Sequence, residues 1–71
     1  MSTLSDAFLR LQLRGVREHG VARLMLVAGD DPPAIERRIR ALAYEQGLTV
    51  LVELDAGALS IVEAPASAAY G

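Results

Sequence analysis

Few residues in this 71-residue sequence can carry chemistry: one histidine, nine carboxylates and seven cationic side chains, every one of them arginine. There is no cysteine and no lysine. The missing thiol removes disulfides, thiolate metal sites and thiol catalysis. The missing amine removes Schiff-base chemistry and a Walker-type lysine. His19 could act as a general base, but no Ser-His-Asp spacing accompanies it. Beside Gly20 it is expected to meet the last carbonyls of a helix instead.

The aspartates have one possible joint role. Asp30 and Asp31 follow one apolar run and Asp55 follows another. If both runs are parallel strands of a βαβ unit, the three carboxylates meet at one edge, where they could hold a hard cation such as Mg²⁺ or Ca²⁺. Local explanations are available for each, a helix cap and a turn residue, and they are preferred. No cofactor is assigned. Arg37, Arg38 and Arg40 could contact an anion, since guanidinium groups grip carboxylate or phosphate through two hydrogen bonds. Arg10, Arg14 and Arg17 repeat the theme. Acidic residues interleave with them, and Phe8 is assigned to the core, leaving only Tyr44 and Tyr70 for stacking. A solvated helix face is the simpler reading. Gly29-Asp-Asp-Pro-Pro33 is no phosphate loop, because its aspartates repel phosphate and its prolines lack N–H donors. A net charge of −2 also argues against a general nucleic-acid binder.

These side chains are positioned by a short series of elements. Ser2 to His19 reads as a helix, with Ser2 or Ser5 as N-cap, Asp6 in the first turn and Gly20 as the stop. Leu4, Ala7, Phe8, Leu11 and Gly15 form one stripe, with Gly15 expected to allow close approach to a sheet. Leu9, Leu13 and Val16 form a second. Val21 to Ala28 reads as a strand with Leu24, Leu26 and Ala28 on one face and Arg23, Met25 and Val27 on the other. Asp30 or Asp31 caps a second helix, Pro33 to Gln46, which buries Ile35, Ile39, Leu42 and Ala43 and stops at Gly47. Glu36 and Arg40 form an i,i+4 pair on its outside.

Thr49 to Leu54 and Leu59 to Glu63 read as a hairpin around Asp55-Ala-Gly-Ala58. This register places Leu54 opposite Leu59, Val52 opposite Ile61, Val50 opposite Glu63, Leu51 opposite Val62 and Glu53 opposite Ser60. The crossover from Val21 to Leu54 predicts parallel flanking strands. The expected fold is therefore α+β: a two-layer α/β sandwich of order α-β-α-β-β, with a mixed three-stranded sheet and both helices on one face. Residues 1–64 make the single domain. Residues 65–71, rich in small residues and marked by Pro65, are a loose tail.

Gly20-Val-Ala-Arg-Leu-Met-Leu-Val, the Pro-containing helix start Asp30-Asp-Pro-Pro-Ala, the helix end Gln46-Gly47 and the closing hairpin resemble the small TusA/SirA-like sulfur-carrier fold. Members of that family carry a Cys-Pro-x-Pro element at the first helix, preceded by a strand. This chain has neither the cysteine nor room for the strand. The resemblance thus implies a scaffold and a partner-binding face, and no catalytic residue. An accessory role in sulfur relay would need a cysteine-bearing partner.

The strongest expectation is geometric. With both helices over Leu24, Leu26, Val50, Val52, Leu54, Leu59 and Ile61, the opposite face shows Met25, Val27, Leu51 and Val62. Arg23, Thr49, Glu53 and Ser60 are expected at its rim. Monomers rarely leave a large apolar patch in water. A domain of this size also has little core to spare. The reading is a non-catalytic protein-interaction module, homodimeric through this face, with the chain itself or another protein as partner. A two-layer RNA-binding domain is the alternative by fold analogy. The longest apolar run, Leu24 to Ala28, is far below the roughly 20 residues of a membrane helix. The opening residues carry no charged, apolar leader pattern, so a cytoplasmic location is expected.

Overall fold

The computed structural model describes residues 4–64. Its elements follow the expected order, α1 (Asp6–His19), β1 (Val21–Met25), α2 (Pro32–Glu45), β2 (Val50–Asp55) and β3 (Ala58–Glu63). At the start of α1 the Ser5 Oγ accepts a hydrogen bond from the Phe8 N–H at 3.1 Å, which satisfies one of the donors a helix start leaves free. Ser5, not Ser2, is therefore the cap. At the other end Gly20 takes φ 87° and its N–H reaches the Val16 carbonyl at 2.6 Å. A left-handed residue at this point suits glycine, which has no Cβ to clash.

The stripe of α1 that faces the core is Leu9, Leu13 and Val16, joined by Leu4 just before the helix. Phe8 and Leu11 are exposed, which corrects the assignment of Phe8 to the core. Gly15 makes no close approach, since a Cβ built there would meet nothing within 4 Å. Leu9, Leu13 and Val16 are each 0% exposed, three branched side chains removed from water along one line of the helix, and the gaps at Ala7 and Gly15 break up the other stripe.

Strand β1 stops at Met25, three residues before the expected end. The Asp30 carboxylate takes the Val27 N–H at 2.9 Å, and the Asp30 N–H returns to the Val27 carbonyl at 3.1 Å. This closed turn bends the chain before a longer strand can form. Helix α2 then starts at Pro32, where the missing N–H costs nothing. It buries Ile35, Ile39, Leu42 and Ala43 as expected.

The hairpin register is the expected one at every position, from Val50–Glu63 to Leu54–Leu59. The strand order is different. The sheet runs β1-β3-β2, and both pairings are antiparallel. Strands β1 and β2 do run in the same direction, as the crossover requires, but β3 lies between them. The sheet is therefore antiparallel throughout and not mixed. Central placement matches the sequence of β3, whose Ala58, Leu59 and Ile61 are all buried.

Both helices pack on one face of this sheet. Their buried side chains form a single core with Leu24, Val50, Leu59 and Ile61, edged by Ala22, Leu26 and Val52. Leu54, expected in that core, is instead 58% exposed, on the edge strand β2 beside an open cleft that it shares with the first turns of α2. Among the described residues no helix is long and apolar enough to cross a membrane.

Candidate functional site

In an antiparallel sheet, directly paired residues share a face. The register thus resolves the face away from the helices into three cross-strand rows. Val21, Val62 and Leu51 form the first. Arg23, Ser60 and Glu53 form the second, and Met25, Ala58 and Asp55 the third. The helices pack on the other side of the sheet, and of these rows Ala58 is fully buried while the flanking residues on β1 and β2 are exposed. Val21 is 52% exposed, Leu51 48% and Met25 69%, while Val62 is half-buried between its neighbours. Three of the four residues expected on this face, Met25, Leu51 and Val62, stand in these rows. Val27 is exposed too, but it sits in the turn beyond β1.

Two features of this surface differ from the sequence expectation. Val21 belongs to it, and the same alternation that places Arg23 and Met25 outward, taken one step back, finds it. Ser60 is not at the rim. Inserting β3 between β1 and β2 puts it on the central strand, with Arg23 and Glu53 level with it on the two edge strands. Arg23 and Glu53 are both exposed, and neither forms an ion pair among the described residues.

The other candidate residues do not assemble. Among the described residues no group of three His, Cys, Asp or Glu side chains is placed to hold a metal ion. Asp30 is used by its own turn. Asp31 is the N-cap of α2 and makes no side-chain capping bond. Asp55 is exposed where β2 enters the hairpin. The antiparallel insertion of β3 explains the failure, because Asp55 belongs to a strand that does not adjoin β1.

The arginine triplet separates in the same way. Arg38 lies across α1: its Nη2 donates to Asp6 Oδ1 at 2.6 Å and to the Leu4 carbonyl at 2.8 Å. The hydrogen bond to Asp6, with the nearby positive charge, holds the Asp6 carboxyl below the usual carboxylate range. Arg40 pairs with Glu36 at 3.0 Å, as the i,i+4 spacing predicts. Arg37 has no ion pair among the described residues and borders an open cleft of about 280 Å³ with Pro32, Pro33, Glu36, Leu54 and Leu59. Two further contacts join the helices, Arg10 with Glu45 at 3.8 Å and Arg17 with the Gln46 carbonyl. His19 is exposed in the last turn of α1, with Nε2 4.0 Å from Glu18 Oε2. The Val16 carbonyl is met by Gly20 and not by His19.

No family model, curated protein or solved structure matches this chain.

Proposed function

We propose that this chain is a non-catalytic protein-interaction module whose working surface is the open sheet face, and that its occupant is a second copy of the same chain. The observation that carries this reading is the row of Val21, Val62 and Leu51, three apolar side chains abreast on the sheet face opposite the helices, with Val21 and Leu51 exposed. A solvated antiparallel face normally alternates to polar residues. The second copy is favoured over an unrelated protein by charge. Arg23 and Glu53 both stand on the face, one cation and one anion, so the surface is complementary to itself.

Sedimentation velocity at high micromolar concentration tests this. The expected result is a concentration-dependent dimer that Leu51→Glu or Val62→Glu converts to a folded monomer. A strictly monomeric wild-type chain overturns it. So does a chain that dimerises only after truncation at Ala64, because the occupant of the face is then the chain's own C-terminal segment.

A further inference from the structure

Resting on that self-association reading, we propose that the two copies stack open face to open face about a two-fold axis running along β3, so that Arg23 of each lies over Glu53 of the other. A two-fold relation between stacked sheets places the axis in the plane midway between them. It can run along the strands or across them. The rows of the face decide which.

An axis across the strands turns each copy end for end. Arg23 then faces Arg23, and Glu53 faces Glu53. The apolar row of Val21, Val62 and Leu51 is laid over Met25, Ala58 and Asp55, which buries a carboxylate against Leu51. Like charges set opposite each other across an interface cost several kcal/mol.

An axis along β3 exchanges the two edge strands and keeps every row level. Val21 then faces Leu51 and Val62 faces its own copy, so the apolar row meets itself. Ser60 faces Ser60. Arg23 faces Glu53 twice, once on each side of the axis. Stacked sheets lie about 10 Å apart, a gap that an arginine and a glutamate reaching toward each other span together. Met25 is set against Asp55 at the end of the sheet, where Asp55 keeps its water. Every charged side chain of the middle row finds an opposite one, and neither Arg23 nor Glu53 has an ion-pair partner to leave among the described residues.

The central polar row thus supplies orientation, and the apolar row supplies the attraction. The face is three strands wide and five residues long on β1, or about 14 Å by 17 Å. That is small beside the roughly 800 Å² per partner of a standard stable complex. The association belongs in the weak class, and two misplaced charges are then enough to abolish it.

The test is charge reversal read by sedimentation equilibrium. Both side chains are exposed, so Arg23→Glu and Glu53→Arg leave the fold intact, checked by circular dichroism. Each alone weakens self-association by about tenfold or more. The double variant restores it, and so does an equimolar mixture of the two single variants, which forms the mixed pair. If wild type dimerises and Leu51→Glu abolishes the dimer while neither charge reversal matters, the axis is wrong and the self-association reading survives. The axis is equally wrong if the double variant and the mixture both fail to recover. If wild type shows no dimer, both ideas fall.

Discussion

The guanidinium of Arg38, in the second turn of α2, grips Asp6, the first residue of α1: Nη2 and Nε lie 2.6 Å and 3.2 Å from the same carboxylate oxygen. The pair ties together two helix segments 32 residues apart in the chain. It also sits where the dipole of α1 favours a negative charge.

A pH dependence follows from this contact. Hydrogen bonding from Arg38 holds the Asp6 carboxyl below its ordinary pKa in the folded chain. The ionised form is thus bound more strongly in the folded chain than in the unfolded one. Its contribution is complete above the unfolded pKa and is lost as pH falls through the folded value. Asp6→Asn should lower Tm at neutral pH and flatten the Tm–pH curve below about pH 4. Both effects should shrink in high salt, because the pair is partly exposed. Arg38→Ala should cost more than Asp6→Asn, since it also strips the Leu4 carbonyl of a donor. Thermal melts across pH and ionic strength measure all of this.

The two stripes of α1 give a paired prediction. Leu13 is fully buried and Leu11 stands in water. Leu13→Ala should cost about 2–5 kcal/mol. In a domain whose whole stability is of order 5 kcal/mol, a loss at the upper end of that range leaves much of the chain unfolded at room temperature. Leu11→Ala should change stability by no more than about 0.5 kcal/mol. Urea titration of the two variants separates the stripes. A larger loss for Leu11→Ala would mean that the helix is turned the other way.

What could be read from the sequence depended on whether the deciding interaction was local. The β2–β3 register was legible because Asp55-Ala-Gly-Ala58 fixes the loop length and two alternating runs fix the faces. The buried face of α2 was legible because Ile35, Ile39, Leu42 and Ala43 form its one apolar stripe. Strand order was not legible. Nothing near the hairpin tells β3 on which side of β2 to lie, and the apolar content on both faces of β1 imitates an interior strand. That one topological choice displaces the rest. It scatters the Asp30, Asp31 and Asp55 group, and it sets Arg23 and Glu53 level with each other on the two edge strands, with Ser60 between them.

The hairpin itself carries strain that a substitution can relieve. Its two-residue loop has φ 49° at Ala56 and 79° at Gly57, both in the left-handed region. A loop with two such residues prefers Asn or Asp followed by Gly. The alanine Cβ is strained there, at a cost of about 1 kcal/mol. Ala56→Asn should therefore raise stability by roughly 0.5–1 kcal/mol, and Gly57→Ala should lower it by about 1 kcal/mol or more. Chemical denaturation reads both. Equal effects of the two substitutions would contradict the assigned turn.

Concentration offers the least invasive check on the open face. If a second copy covers the row of Val21, Val62 and Leu51, unfolding releases two chains from each native particle. Tenfold dilution then destabilises the native dimer by about 1.4 kcal/mol, or about 0.7 kcal/mol per chain. For a domain of this size that shifts Tm by roughly 3–6 °C. Leu51→Glu should abolish the shift, because a carboxylate buried opposite Val21 of the second copy cannot be hydrated. Its own Tm should match that of wild type at high dilution, since Leu51 lies outside the core of the single chain. Differential scanning calorimetry over two decades of concentration provides the measurement. A wild-type Tm that does not move across that range would leave the face bare in water, and the exposed methyl groups of Val21 and Leu51 would then need another explanation.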